Sequence, residues 1–327
     1  SRTHRKVRLV IVFHGPQEVP AGFGPSVVAI GKFDGVHAGH RVLLERARVE
    51  AAARGAKVVA VTFDRNPLAL LRPDRCPENL VGVTQKLRLL AETGIDAAMV
   101  LTFDAALAEL EPRDFVRGML VEPLDTCAVL VGNDFRFGRG GAGDPETLER
   151  LGEEFGFSVG VVDDVSAIDG GRRVSSTWVR ELLAEGDVEG AAKLLGRPAS
   201  VRGEVVHGLK RGRELGFPTA NLSPSLEGFV PADGVYAGWL VDEATGLRSG
   251  TRYPAAISVG TNPTFDDVPT RQVEAHVLDE QGIDLYGHEV DVQFVQRVRG
   301  MVAFEGIDAL IAQMNDDVTR VRRMLGA

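Results

Sequence analysis

The chain has 327 residues, of which 37 are Lys or Arg and 46 are Asp or Glu, so its formal net charge is −9. This length indicates two domains, and a hydrophobic content of 44% excludes a disordered or fibrous protein. Acidic side chains outnumber basic ones in both halves of the chain. This balance argues against a nucleic-acid binder that follows the phosphate backbone.

The first half alternates short apolar runs with segments whose apolar residues recur at helical spacing. The runs predict strands at residues 27–30, 58–63, 97–103, 127–132 and 159–162. The helical spacings predict helices at residues 39–54, 84–92, 115–120, 146–155, 176–183 and 188–195. Because short strands that alternate with helices are typical of βαβ units, we expect an α/β domain with a parallel sheet.

The pattern changes after Pro198, where Gly, Pro, Asn and Asp separate short strand-like runs. These runs predict strands at residues 201–206, 234–241, 254–259, 272–278 and 289–295. Only residues 307–325 carry the apolar stripe of a helix. We therefore expect a small antiparallel β-barrel with a terminal helix, and we assign the domains to residues 1–186 and 187–327.

Cysteine content and hydropathy narrow the class of protein further. Cys76 and Cys127 are too few for a disulfide scaffold or a cysteine-based zinc site. No apolar run approaches the roughly 18 residues that a membrane helix needs. An acidic protein would need a divalent cation to bridge it to a polyanionic ligand. We expect a cytoplasmic protein that binds small nucleotides with magnesium, and neither nucleic acid nor a membrane.

Residues 31–40, with the sequence GKFDGVHAGH, join the first predicted strand to the first predicted helix. His37 and His40 would lie at a helix N-terminus, where backbone N–H groups and the helix dipole attract phosphate. Two imidazoles can donate to charge that moves onto a leaving phosphate, and the glycines allow close approach of the backbone. Either histidine alone is equally consistent with a helix cap or a core residue, but the ordered set is more specific.

This segment resembles the HxGH signature of α/β nucleotidyltransferases, and its longer form resembles bacterial FAD synthetases. Those enzymes join an FMN adenylyltransferase domain to a riboflavin kinase domain. The resemblance implies that His37 and His40 are catalytic and bind the triphosphate of ATP. The other implied ATP contacts in this loop are Gly31, Phe33, Asp34, Gly35 and Gly39.

Three further segments of the first half fit this family. Asn66 stands where many members have His, and it can still hydrogen-bond a phosphate of ATP. The segment at residues 175–180 resembles a Ser-Ser-Thr-x-x-Arg motif that suits the β- and γ-phosphates, although an ordinary helix cap is the alternative. Its implied ATP contacts are Ser175, Ser176, Thr177 and Arg180. A loop similar to the family's flavin-side loop supplies the implied flavin contacts Asn133, Asp134, Phe135 and Phe137.

The second half carries an independent match, because residues 212–221, GRELGFPTAN, resemble the riboflavin kinase motif that ends in Pro-Thr-Ala-Asn. Thr219 and Asn221 offer neutral oxygens at alternate positions of an extended segment, so both can face one magnesium ion. The resemblance implies ATP contacts at Gly212, Arg213, Phe217, Pro218, Thr219 and Asn221.

Residues 271–279 form a predicted strand on which Glu274 and His276 share a face. The resemblance assigns Glu274 as the general base toward the riboflavin 5′-hydroxyl, whereas a solvated glutamate is the alternative from the residues alone. We expect His276 to be structural.

The resemblance implies two consecutive reactions with ATP as co-substrate and Mg²⁺ as cofactor. The second domain would convert riboflavin to FMN, and the first would convert FMN to FAD with release of pyrophosphate. Two alternatives stay open, namely a nucleotidyltransferase for another phosphorylated acceptor and a non-catalytic flavin-binding protein. The sequence leaves the oligomeric state open.

Overall fold

The structure is a computed structural model that describes residues 10–166, 171–208, 216–217, 219–243, 251–262, 270–280 and 282–327. It divides into two compact units, Ser1–Ser175 and Ser176–Ala327. The domain boundary that we assigned between residues 186 and 187 stays a prediction. No helix in the described part of the chain is long and apolar enough to cross a membrane.

Six strands of the first unit form one sheet in which every pairing is parallel. They are β1 Ile11–Phe13, β2 Ser26–Ile30, β3 Lys57–Phe63, β4 Ala97–Leu101, β5 Thr126–Gly132 and β6 Ser158–Val162. Their order in the sheet is β1-β4-β3-β2-β5-β6. The predicted parallel sheet is confirmed, with the addition of β1, which the sequence analysis did not predict.

Helices connect these strands and cover both faces of the sheet. They are α1 Ala38–Arg54, α2 Pro67–Leu71, α3 Val83–Glu92, α4 Ala105–Ala108, α5 Pro112–Phe115, α6 Glu122–Leu124 and α7 Pro145–Phe155, with a π-helical segment at Val116–Val121. Along β2, Val28 and Ile30 belong to one apolar cluster, while Val27 and Ala29 belong to the other. Burial on both faces explains why β2 reads as a continuous apolar run rather than an alternating one.

The order of the strands creates a crevice at the carboxyl edge of the sheet. The chain passes from β2 to β3 on one side of β2, and from β5 to β6 on the other, although β2 and β5 are neighbours. Loops that follow two such strands diverge, and ligands of open α/β sheets bind in the crevice between them. The segments that follow β2 and β5 are the predicted ATP and flavin loops.

Six antiparallel strands of the second unit close into a barrel of order β10-β11-β8-β7-β12-β9. The elements of this unit are α8 Ser176–Glu185, α9 Val188–Leu195, β7 Ala199–Val206, β8 Thr219–Leu222, β9 Gly234–Asp242, β10 Thr251–Asn262, β11 Thr270–Val277, β12 Glu289–Arg299 and α10 Ile307–Leu325. The predicted barrel and terminal helix are confirmed, and β8 is a strand in addition to the five predicted ones.

Helix α10 is attached to the barrel by a buried ion pair and by apolar packing. Arg299, at the end of β12, donates from Nε and Nη2 to the carboxylate of Asp317, at 2.9 Å and 2.8 Å. Gln313 donates to the same carboxylate at 3.0 Å. Because Asp317 is almost fully buried, these bonds offset the cost of removing its charge from water. Val321 packs beside them against Val235.

Gly238 of β9 is needed for the close approach of its neighbours in the barrel. A Cβ added there would lie 1.9 Å from the carbonyl oxygen of Gln293 and 2.5 Å from Cδ1 of Ile257. We therefore expect Gly238→Ala to lower the free energy of unfolding of the second unit by about 3 kcal/mol, the upper part of the usual range for overpacking. Thermal and urea unfolding of the full chain measure this.

Gly260→Ala on β10 is the matched control, because an added Cβ meets only the flexible Met301 Cε, at 3.7 Å. Unfolding of the control should stay within about 1 kcal/mol of the wild type. Equal stabilities of the two variants would contradict the packing argument.

Candidate active sites

The turn after β2 is strained and buried. Phe33 and Val36 have φ values of 50° and 43°, although both carry a Cβ, and Gly35 has a φ of 87°. Such conformations cost about 1–3 kcal/mol each and persist where the surroundings fix them. Phe33 and Val36 are completely buried in the apolar cluster that also holds α1. The turn is therefore a fixed support for the start of α1.

His37 and His40 cap the first turn of α1 reciprocally. Nδ1 of His37 accepts the N–H of Gly39 at 3.1 Å, and Nδ1 of His40 accepts the N–H of His37 at 3.2 Å. The two rings are stacked, with centroids 3.7 Å apart and planes 18° apart. A ring nitrogen that accepts a hydrogen bond carries no proton, so each neutral ring carries its proton on Nε2 and donates from there.

Gly39 is required by the position of the His37 ring. A Cβ on residue 39 would lie 2.9 Å from Cε1 of His37, whereas a Cβ on Gly31 would approach no atom beyond its chain neighbours more closely than 3.8 Å. The sequence analysis assigned these glycines to close approach of a ligand. The structure adds a different reason for Gly39, because its missing side chain leaves room for the imidazole.

Asp34 connects the histidine turn to the segment before α3. Its Oδ1 accepts the N–H groups of Leu80 at 2.9 Å and Val81 at 3.4 Å. The Asp34 carboxylate therefore positions the protein backbone, and its contact with ATP stays a prediction. Asp34 lines a small pocket of about 30 Å³ at the carboxyl ends of β2 and β3, which Asn66 and Lys86 also line.

Asn66 is the N-cap of α2. Its Oδ1 accepts the N–H of Leu68 at 3.0 Å, so a contact of this side chain with a phosphate would come from the amide Nδ2. Asn66 lines the pocket, and its contact with ATP stays a prediction; the neutral amide supplies no charge there.

Lys86 is a residue of this pocket that the sequence analysis missed. It is 8% exposed, and it lies on the buried face of α3 one turn before Leu90. A lysine at a core position of an amphipathic helix is an identifiable signal, because Lys is almost never buried without partners. Burial lowers the pKa of the Lys86 ammonium, and the charges of Asp34 and Asp64 oppose this shift.

The loop after β5 places its predicted flavin contacts at different depths. Asn133 and Asp134 are exposed, Phe135 is half-buried, and Phe137 is 5% exposed in the core. The rings of Phe135 and Phe137 are stacked, with centroids 5.6 Å apart. Arg173 donates to Asp134 at 2.9 Å. Phe135 is therefore the aromatic ring nearer the surface, and Phe137 supports it from below.

The Ser-Ser-Thr-x-x-Arg segment crosses the boundary between the two units. Ser175 is the last residue of the first unit, and Ser176, Thr177 and Arg180 belong to α8 of the second. Their predicted contacts with the phosphates of ATP stay predictions.

The pairing of β8 with β11 brings together the candidate residues of the barrel. Asn221 lies directly opposite Glu274, and Thr219 lies opposite His276. Residues directly opposite in a sheet share a face and have Cβ atoms about 4.5–5.5 Å apart. Ala220, between Thr219 and Asn221, is buried. The neutral oxygens and the carboxylate thus lie side by side on the same face of the sheet.

Asn221 also needs a glycine that the sequence analysis missed. A Cβ added at Gly208 would lie 2.1 Å from Nδ2 of Asn221. Thr219, Asn221 and Gly208 line a pocket of about 120 Å³, together with Asp284 and Tyr286. The missing side chain at Gly208 therefore leaves the space in which the Asn221 amide lies.

The other predicted kinase residues are only partly described. The ring of Phe217 meets the ring of His276 edge-on, with centroids 5.2 Å apart. This contact packs His276 against Phe217, and the structural role of His276 stays a prediction. Gly212, Arg213 and Pro218 lie outside the described residues.

Both units match family models. The model for FAD synthetase matches residues 20–178, and the model for riboflavin kinase matches residues 195–325. A bifunctional riboflavin kinase/FMN adenylyltransferase of Escherichia coli (strain K12) is 38% identical over 300 residues, which cover 92% of this chain and 93% of the relative. The chain belongs to the bifunctional riboflavin kinase/FMN adenylyltransferase family.

Two further comparisons span the same length. The family member of Listeria monocytogenes is 34% identical over 293 residues, which cover 89% of this chain and 90% of the relative. A crystal structure from Streptococcus pneumoniae, described as a macrolide-efflux protein, is 30% identical in sequence and superposes with a TM-score of 0.82. The match covers 96% of this chain and 98% of that chain. The likeness to the family thus extends over both units.

The cap geometry predicts the tautomer of two histidines. We expect His37 and His40, when neutral, to carry their protons on Nε2, and long-range ¹H–¹⁵N NMR spectra to show both Nδ1 atoms unprotonated. Gly39→Ala should shift the resonances of both rings because it displaces His37. Gly118→Ala is the control, since an added Cβ there meets nothing within 4 Å. An Nδ1–H tautomer at either ring would contradict the reciprocal cap.

The position of Glu274 predicts a cost in stability. Burial raises the pKa of Glu274, so the folded protein favours the protonated form and loses stability as the pH rises through this raised pKa. Glu274→Gln removes the charge. We expect this variant to have a higher Tm than the wild type at pH 7, and the gain to shrink as the pH falls toward 4. The exposed Glu305→Gln is the control, and a gain that does not depend on pH would contradict the argument.

Proposed function

We propose that this chain converts riboflavin to FMN at the barrel and FMN to FAD at the parallel sheet, with ATP as co-substrate of both transfers. The observation that carries the proposal is that each unit assembles its own set of chemically suited side chains. His37 and His40 form the cap of α1 in the first unit. Glu274 lies opposite Asn221 in the second.

In the kinase reaction, Glu274 accepts the proton of the riboflavin 5′-hydroxyl. The hydroxyl oxygen then bonds to the γ-phosphorus of ATP, the bond to the β-phosphate oxygen breaks, and ADP leaves. Burial raises the pKa of Glu274. A raised pKa suits a general base, because proton transfer is most efficient when the pKa of the base lies close to the pH of the reaction.

Thr219 and Asn221 fit a magnesium ion that is bound to ATP. Their side-chain oxygens are hard neutral ligands on one face of β8, and the space at Gly208 accommodates the amide. Among the described residues, no group of three or more His, Cys, Asp or Glu side chains could hold a metal. Two protein oxygens match an ion that keeps its waters and phosphate ligands. When bound, Mg²⁺ neutralises charge on the phosphates.

In the adenylyl transfer, a phosphate oxygen of FMN bonds to the α-phosphorus of ATP, and the bond to pyrophosphate breaks. FMN supplies the nucleophile, so the protein has to orient the two substrates and stabilise charge. The Nε2–H groups of His37 and His40 donate to the phosphates that leave, at the N-terminus of α1, where the helix dipole also favours anions. Asn133, Asp134 and Phe135, with Phe137 stacked behind Phe135, would contact the flavin, and Asn66 and Ser175 would contact ATP. A cytoplasmic location stays a prediction.

Two variants with opposite effects test the proposal. With riboflavin, ATP and Mg²⁺, the wild type should form FMN and then FAD, which chromatography separates over time. His40→Ala should lower FAD formation from FMN by roughly 10²–10³-fold, because it removes a donor to the developing charge, and should leave FMN formation intact. Glu274→Ala should do the reverse.

Each variant controls for the folding of the other unit. Equal damage to both activities by either substitution would contradict two independent sites. Conversion of neither flavin by the wild type, together with tight flavin binding, would favour a non-catalytic binding protein. An inert FMN combined with adenylylation of another phosphorylated acceptor would favour the other alternative.

A further inference from the structure

The Lys86 ammonium uses three acceptors that belong to two adjacent chain segments. Its Nζ donates to the carbonyl oxygen of Lys32 at 3.0 Å, to the carbonyl oxygen of Phe63 at 3.2 Å and to Oγ1 of Thr62 at 3.4 Å. Oγ1 of Thr62 in turn donates to the carbonyl oxygen of Lys32 at 3.1 Å. An ammonium has three protons, so this arrangement uses all of them.

These bonds lie where the ladder between β2 and β3 ends. The last backbone bond joins the N–H of Gly31 to the carbonyl oxygen of Val61, at 3.1 Å. Beyond this bond, the segment after β2 leads to the histidine turn, and the segment after β3 leads to Asn66. Lys86 links the two segments, because its ammonium bonds to Lys32 in the first and to Phe63 in the second.

A buried ammonium at this position lowers the stability of the fold unless hydrogen bonds and nearby charges compensate for its removal from water. Burial disfavours the charged ammonium, as the lowered pKa of Lys86 shows, and a Met or Leu would fill the same face of α3 without that cost. The carboxylates that oppose the shift belong to Asp34, in the histidine turn, and Asp64, directly after β3. The cation therefore acts on the same two segments electrostatically as well as through its hydrogen bonds.

We propose that Lys86 is a positioning residue for the adenylyl transfer, which holds the turn of His37 and His40 and the Asn66 turn at one fixed spacing. The inference rests on the proposed function of the first unit. Lys86 acts through the backbone of Lys32 and Phe63 rather than on ATP. Since a misplacement of about 1 Å can cost about 10²-fold in rate, loss of this bridge should affect the turnover of bound substrates more than their binding.

Lys86→Met tests the bridge, because Met keeps most of the apolar side chain and removes the charge and the donors. We expect kcat for FAD formation from FMN to fall about 10–100-fold, with the KM values for ATP and FMN changed less than about threefold. FMN formation from riboflavin, at the other unit of the same chain, should be unchanged.

Lys57→Met is the matched control. Lys57 is the first residue of β3, and its Nζ donates to the carbonyl oxygen of Phe23 and lies over the Phe23 ring. Lys57 and Lys86 thus both bond to a backbone carbonyl, but Lys57 lies at the amino end of β3 and Lys86 contacts the carboxyl end of that strand. We expect this variant to lose stability without a change in kcat.

Thr62→Val keeps the cation but removes one of its acceptors and the hydrogen bond from Thr62 to Lys32, so it tests the network even if Lys86→Met folds poorly. It should lower kcat for FAD formation by a smaller factor than Lys86→Met. The double variant should be slower than Lys86→Met, because it also removes the hydrogen bond from Thr62 to Lys32. The combined loss should be smaller than the product of the two single effects, because the two side chains share one network.

The outcomes separate this inference from the proposed function. A wild type that makes no FAD from FMN and ATP would refute the proposed function itself. An active wild type with unchanged kcat in both Lys86→Met and Thr62→Val, measured below the Tm of each variant, would assign Lys86 to stability alone and overturn the inference. An equal loss of kcat in Lys57→Met would overturn it as well.

Discussion

The first unit depends on the burial of β2 from both faces. Because every residue of that strand is buried, the chain can turn toward a ligand only after Ile30. The turn that follows holds the completely buried Phe33 and Val36 at positive φ. The core thus stabilises a backbone that would be unfavourable on its own. As a result, the N-terminus of α1 and its two histidines are held in one position after β2, which would lower the cost of ordering them in the proposed binding of ATP.

In the barrel, the candidate residues are positioned by the register of the strands and not by a strained backbone turn. Pairing of β8 with β11 sets Asn221 against Glu274, while the intervening Ala220 and Ala275 are buried. A slip of one residue would move the carboxylate to the buried face and expose alanines. The apolar interior therefore stabilises this register, and with it the spacing between Asn221 and Glu274. The chain thus fixes the positions of its candidate residues in two ways, by a helix N-terminus in the first unit and by strand pairing in the second.

Periodicity in the sequence was sufficient for the main elements of both units, because their cores impose strict patterns. It failed for β1 and β8, which have three and four residues and are too short to show a period. It also failed for Gly208, whose importance lies in its contact with Asn221. For Lys86 the periodicity does mark a lysine at a core position of α3, but it does not show the contacts with β3 that make this lysine important. The motif at residues 31–40 indicated which side chains gather at the helix terminus, but not that Gly39 makes room for an imidazole. Such reasons depend on tertiary contacts that a single sequence does not display.

The reciprocal cap of α1 also restricts the charge of the site. A doubly protonated imidazole would have to donate from Nδ1, at a point where a backbone N–H already donates to it. The cap therefore favours neutral rings over imidazolium ions. His37 and His40 can offer hydrogen bonds to a leaving phosphate without adding fixed positive charge. In the proposed adenylyl transfer, a phosphate that is held by neutral donors and a helix dipole would dissociate more readily than one paired with permanent cations, so the proposed site would favour release of the product as well as bond breaking.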